Sequence, residues 1–238
     1  MEPHILLLGG FFVVLAALVQ GTLGLGLSLV AAPVVTILDP SLLPGGMLVL
    51  GMFLPAMTML HEWRSVSWHQ AGWLIAARVA TTPLGVLLLV SIPVSAIGIV
   101  VGCVVLGAVV LTTWRFEVQA TRRNLLIAGA VAGVSGTAAS IGGPPAVLVL
   151  QHEQASRLRA TMAAFFLVGS IVSLLALAIG GELTRHQLTY GVLWVPALGL
   201  GFGLAIPLQK RVAGPRLRQG VLLLAALSSI VAIARSAL

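Results

Sequence analysis

Eight strongly apolar stretches occupy most of this 238-residue chain and decide what it can become. They run Ile5 to Ile37, Leu43 to Leu60, Ala71 to Val90, Ala96 to Thr113, Leu125 to Leu150, Ala160 to Gly180, Thr189 to Leu208 and Gln219 to Ala234. Six have about the 20-residue length that takes an α-helix across a bilayer, and the first and fifth are longer. With 59% of residues apolar, 8% charged and a mean hydropathy of +1.11, a soluble domain could not keep that surface out of water. The chain reads as an all-α polytopic membrane protein with the lipid bilayer as its main partner. The first stretch is expected to be retained, because Met1-Glu2-Pro3-His4 lacks the basic residues of a signal peptide.

The two long stretches are broken by glycines. The first carries Gly21, Thr22, Gly24, Gly26 and Ser28 and ends at Pro33; the fifth carries Gly133, Ser135, Gly136, Thr137, Ser140, Gly142, Gly143, Pro144 and Pro145. Both read G-x2-G-x3-S-x4-P at one offset of 112 residues, which pairs Gly21 with Gly133, Gly24 with Gly136, Ser28 with Ser140 and Pro33 with Pro145. Each half comprises four stretches with the long broken one first, so the chain reads as a duplication. Within a single transmembrane domain of residues 1–238, repeat 1 spans 1–114, a cytoplasmic linker 115–124, and repeat 2 125–238.

The basic residues argue for the topology. The net charge of +7 sits in short loops between apolar spans rather than on one soluble face, which disfavours nucleic acid as a partner. Among thirteen Lys and Arg, Arg78 alone lies well inside a span. If every stretch crossed once, the other twelve would divide evenly between the two sides, against the positive-inside rule. If stretches one and five each turn back at their glycines, ten share one side: Arg64, Arg115, Arg122, Arg123, Arg157, Arg159, Lys210, Arg211, Arg216 and Arg218. Arg185 and Arg235 remain outside. Each repeat is then a glycine-broken re-entrant or hairpin segment plus about three transmembrane helices, and the odd crossing count inverts the second repeat relative to the first. A re-entrant hairpin and two short crossings give the same parity. Trp63, Trp68, Trp73 and Trp114 fall near the cytoplasmic interface, and Tyr190 and Trp194 near the outer one, as anchors.

Irregular backbone at membrane depth is tolerated only where protein or a water-filled cavity surrounds it. Two broken segments therefore predict one central cavity, with backbone N–H groups and half-helix N-termini favouring an anion. Thr22, Ser28, Ser135, Thr137 and Ser140 are candidate hydroxyl donors, although back-bonding within a helix accounts for such residues equally well. Small residues that let helices pack closely are the competing account of the glycines. Arg78, about two turns into its span, is a candidate counter-charge or a side chain snorkelling to the headgroups. Gln20 and Gln151 flank the two motifs at the cavity mouth. The six acidic residues lie at segment ends or in loops, which disfavours a cation carrier. His61-Glu62 and His152-Glu153 read as interfacial polar caps. The lone Cys103 supports no disulfide or thiolate site, and no metal or cofactor is implied.

The run from Gly133 through Ser140, Gly142, Gly143, Pro144 and Pro145 to Gln151, with Arg159-Ala160-Thr161 and Phe165 to Ser170, resembles the TauE/SafE family of sulfite and sulfonate exporters. The resemblance extends over essentially the whole chain. It implies a multi-pass inner-membrane permease for small sulfur-containing anions. It suggests Gly133, Gly136, Gly142, Gly143 and Pro145 as motif positions of the second half, and Gly21, Gly24, Gly26 and Pro33 of the first. Expelling an anion from an inside-negative cell gains about 2.3 kcal/mol per charge per 100 mV, so export needs no coupling ion. An anion channel is the nearest alternative and a non-transporting scaffold the next; an enzyme lacks a nucleophile with its base at membrane depth. Homo-oligomerisation is left open.

Overall fold

A computed structural model of the chain describes residues 2–23, 27–113, 118–208 and 215–237. Its helices are α1 (Pro3–Leu23), α2 (Leu27–Leu38), α3 (Gly45–Glu62), α4 (Trp68–Val90), α5 (Ile97–Thr113), α6 (Arg122–Ala138), α7 (Gly143–Val149), α8 (Ala155–Ile179), α9 (Arg185–Leu193), α10 (Val195–Leu208) and α11 (Pro215–Ala237). The described residues contain no strand. Five stretches are long and apolar enough to cross a membrane: Pro3–Thr22, Trp68–Val90, Ala155–Ile179, Arg185–Leu208 and Gln219–Ser236. The protein is an all-α polytopic membrane protein. Leu7, Phe11, Leu87, Leu175, Leu200 and Leu223 point outward, the surface that acyl chains cover.

Several helices begin ahead of their apolar runs because polar residues cap them. Thr121 Oγ1 accepts from Asn124 N at 3.3 Å, so α6 starts at Arg122 rather than at Leu125. Thr184 and Gln187 form a capping box that starts α9 at Arg185.

The two glycine-broken segments double back. At one end of the molecule the Tyr190 hydroxyl accepts from Glu2 N at 3.0 Å, and His186, one turn earlier on α9, meets Asp39 at 3.0 Å. The start of α1 and the end of α2 therefore lie together. Arg235 donates to Ile37 O at the same end. At the opposite end, Arg122 stacks on Trp73 with 3.9 Å to the ring centroid, and Gln70 Nε2 donates to Glu153 Oε1 at 2.7 Å. The start of α6 and the residues just past α7 thus share the first turns of α4. The legs are unequal: at 1.5 Å per residue, α1 is about 31 Å long and α2 about 18 Å, while α6 and α7 are about 25 and 10 Å.

Arg64, Arg122, Arg123, Arg157 and Arg159 gather at the α4 start, and Arg185 and Arg235 at the other end. Trp114, Arg115, Lys210 and Arg211 lie outside the described residues. Trp63 and Trp68 are exposed, as interface anchors would be. Tyr190 and Trp194 are not at the lipid boundary: both are 1% exposed, and Trp194 Nε1 donates to Leu6 O at 3.0 Å, tying α1 to α9 and α10. A buried indole needs such an acceptor.

The helix packing has a reciprocal pattern. Helix α4 lies along α6, and α10 along α1; α4 touches α8, and α9 touches α3; α2 meets α11, and α7 meets α5. Helices α3 with α8, and α5 with α11, complete it. The most extensive contacts thus run between the first five helices and the last six, while α1 with α2 and α6 with α7 pack within each half.

Candidate functional site

The tips of the two doubled-back segments meet α3, α4 and α8 around a cavity of about 30 Å³. Its walls come from Gln20, the first turn of α2 at Leu27 to Leu29, Met47 to Pro55 of α3, Arg78, the break and first turn at Ser140 to Pro144, and Phe166 and Ser170 of α8. The first turn of α2 and the first turn of α7 both open onto it, so both half-helices present N-terminal ends there. The break before α7 is built by Ser135, whose Oγ bonds Val131 O and Ile141 O, and by Ser140, which holds φ at +60° while its Oγ donates to Pro44 O at 2.9 Å.

Arg78 is the charged wall of this cavity. It stands ten residues into the 23-residue α4, about 15 Å from the Trp68 end and near mid-span. It is 2% exposed, so its stem does not reach the headgroups. Its guanidinium carbon sits 4.7 Å from the Phe165 ring centroid, its Nη2 lies 3.2 Å from where a Cβ at Gly136 would stand, and Gly169 faces its Cζ and Nε so closely that no side chain fits between. Nε and Nη1 have no hydrogen-bond partner among the described residues. The carboxylates that make ion pairs there do so elsewhere: Glu62 with Arg159, Glu153 with Arg157, Asp39 with His186 and Glu2 with His4. A desolvated guanidinium without an acceptor is expensive, and an oxyanion in the cavity would supply one.

The family described as sulfite exporter TauE/SafE matches residues 9–232. The chain belongs to the TauE/SafE family. No curated protein and no solved structure matches it. The family match covers both glycine breaks and every residue lining the cavity. As a TauE/SafE protein, the chain is a multi-pass membrane transport protein of the sulfite and sulfonate exporter type.

Within this TauE/SafE chain the residues singled out from sequence separate into three groups. Ser28, Arg78, Ser140, Gly142, Gly143 and Pro144 line the cavity, and Gly136 borders it through the guanidinium. Gly21, Thr22, Pro33, Ser135, Thr137 and Gln151 do not line it. Gly21 packs against Ala205 on α10, where an added Cβ would stand 2.5 Å from the alanine Cβ. Thr22 bonds back to Leu18 O and Val19 O, and Pro33 is buried within α2. Ser135 staples the break, and Thr137 Oγ1 meets Ser173 Oγ at 2.8 Å. Gln151 is exposed just past α7. Gly24 and Gly26 lie outside the described residues.

Sequence reasoning gave Phe165, Gly169 and Ser170 of α8 no part in the site, nor Met47 and Gly51 of α3. Their one signal was the Phe165 to Ser170 stretch of the TauE/SafE resemblance, which carries no hint that Phe165 and Gly169 clasp a residue on α4.

Proposed function

We propose that the protein is a secondary transporter that exports small sulfur-containing anions, such as sulfite, sulfonates or sulfoacetate, across the cytoplasmic membrane by alternating access around the mid-span cavity. The observation that carries this reading is the buried guanidinium of Arg78, whose Nε and Nη1 have no partner among the described residues, in the wall of a cavity onto which two half-helix N-termini open. A mobile anion completes that site. A permanent internal carboxylate would have occupied it.

The reciprocal packing supports two inverted repeats, residues 1–114 and 125–238. Exchanging α1 with α6, α2 with α7, α3 with α8, α4 with α9 and α10, and α5 with α11 turns most of the main contacts into other observed ones, the packing of α2 on α5 being the exception. Polar ties span the helices at both ends of the cavity: Arg159 Nε with Glu62 at 3.2 Å on one side, Asp39 with His186 and Gln187 with Leu43 O on the other. Breaking one set and keeping the other would open the cavity to one side at a time. The Arg-rich end is the cytoplasmic one by the positive-inside rule.

The test is flux of sulfite and methanesulfonate in proteoliposomes. Saturable flux that Arg78→Gln abolishes in a protein of unchanged helicity is expected. Flux intact in Arg78→Gln would sink the site assignment, non-saturating conductance would assign a channel, and no flux of any anion would favour a scaffold.

A further inference from the structure

We propose that the cavity accepts monoanions and rejects dianions. On this reading, which rests on the transporter function above, the cargo is hydrogensulfite, a monosulfonate or a monocarboxylate. The sulfite dianion and sulfate are excluded, and among the anions named above sulfoacetate drops out in its doubly ionised form.

The inference comes from a charge census at membrane depth. Among the described residues that line the cavity, Arg78 alone carries a full charge. The remaining polar wall consists of neutral hydroxyls, an amide and backbone. The sequence between α1 and α2, Gly24, Leu25 and Gly26, carries no charged residue. The arginines nearest in sequence to the cavity-lining part of α8 are neutralised: Arg159 is paired with Glu62 and Arg157 with Glu153. Arg235 is spent on Ile37 O at the far end.

One buried cation with one monoanion makes a neutral complex, which is what a low-dielectric site accommodates best. A dianion leaves a full negative charge in the same place, and an uncompensated buried ion costs several kcal/mol even after relaxation. Neutral donors such as the Ser28 and Ser170 hydroxyls assist an anion of either charge and do not cancel the second charge. The Ser140 hydroxyl donates to Pro44 O, leaving it as an acceptor toward the cavity, where it would face the anion with a lone pair.

The half-helix ends are the opposing term. Each N-terminus contributes at most about half a charge, and α7 has 7 residues, so its peptide dipoles sum over a short length. These partial charges strengthen binding of any anion, but they are spread over several N–H groups and do not equal a second guanidinium. The second charge of a dianion would have to rely on them and on neutral donors.

Phe165 sharpens the limit. It covers one face of the guanidinium, so a ligand meets the in-plane donors, where Nε and Nη1 have no partner among the described residues and each two-nitrogen edge of the fork, Nε with Nη2 or Nη1 with Nη2, can pair two oxygens of one oxyanion. Apolar Met47, Leu54, Pro55 and Phe166 receive the rest of the ligand. A small apolar tail suits them, and a second ionised group does not.

The experiment compares two ligands of one shape and different charge on the purified wild-type protein, by calorimetry or thermal shift. Methanesulfonate and methylphosphonate are both tetrahedral with one methyl group. In alkaline buffer the first carries one charge and the second two. Methanesulfonate is expected to bind at least about tenfold more tightly there, the scale set by one uncompensated buried charge. In mildly acidic buffer methylphosphonate loses a charge and should close the gap, while methanesulfonate affinity stays constant and shows that the protein's own groups are not the cause. Equal or tighter binding of the dianion, lost in Arg78→Gln, would overturn the charge rule and leave the anion-carrier reading standing. Binding of neither ligand, or equal binding of both in Arg78→Gln, would overturn the carrier reading and the charge rule with it.

Discussion

The Arg78 guanidinium lies 4.7 Å from the Phe165 ring centroid, and Phe165 is itself fully buried. A cation held against the face of a ring in a dry environment gains about 2 kcal/mol, which offsets part of its desolvation while leaving its hydrogen-bonding edge free. The ring is therefore a positioning group for the anion site.

Phe165→Leu keeps apolar bulk and removes the ring. The affinity for methanesulfonate should fall by about tenfold, in line with a loss of between one and two kcal/mol. The melting temperature without ligand should fall much less than the ligand-induced shift does. An unchanged affinity would show that the ring only fills space.

Gly169→Ala should remove anion-dependent stabilisation altogether, because the added methyl would occupy the position of Arg78 Cζ and Nε. Gly199→Ala is the matched control, since nothing lies within 4 Å of a Cβ placed there. Retained ligand shifts in Gly169→Ala would mean that the guanidinium has another resting place.

Acid stability should report the tie between α2 and α9. Partial burial alone would raise the Asp39 carboxyl, but the Ser41 hydroxyl, His186 and Ser41 N outweigh it and hold the value below that of an ordinary aspartate. A lowered native value means that the contribution is complete above the unfolded value of about 3.9 and is lost as pH falls through the native one. Asp39→Asn should therefore flatten the decline in melting temperature below about pH 4 relative to wild type. Parallel curves for the two proteins would show that this carboxylate is not linked to folding.

Sidedness can be read by thiol labelling in intact cells, in a Cys103→Ser background. Glu2→Cys, Ser41→Cys and Thr184→Cys should react with an impermeant reagent from outside, and Ser156→Cys only after lysis. Labelling of Glu2→Cys and Ser41→Cys from opposite sides would show that α1 and α2 together cross the membrane once.

What could be read before any coordinates follows from physical cause. Crossing helices announce themselves through length and hydropathy, and the breaks through glycines and prolines that no uninterrupted span would tolerate at that density. Arg78 stood out because a charge at mid-span has few excuses. The clasp around it did not, since Phe165 and Gly169 lie almost ninety residues away on α8 and nothing in a linear pattern links an α8 glycine to an α4 arginine. Gly21 and Gly136 looked alike in the repeat, yet one meets Ala205 on a neighbouring helix and the other borders the guanidinium. Only the fold distinguishes close packing from a ligand cradle. Tyr190 and Trp194 sat where interface anchors belong, and were drawn inward by their hydrogen bonds to Glu2 N and Leu6 O.

The reciprocal packing also governs how the protein can be made. Helix α1 leaves the ribosome first, but the surface it rests against is α10, with Trp194 closing on Leu6 after another 188 residues have been synthesised. Helix α4 likewise waits for α6. The N-terminal half therefore enters the bilayer with α2 packed on α1 and α5, and acquires its largest contacts only when its counterpart threads in beside it. A chain truncated midway would hold helices that lack their largest partners, rather than half a transporter.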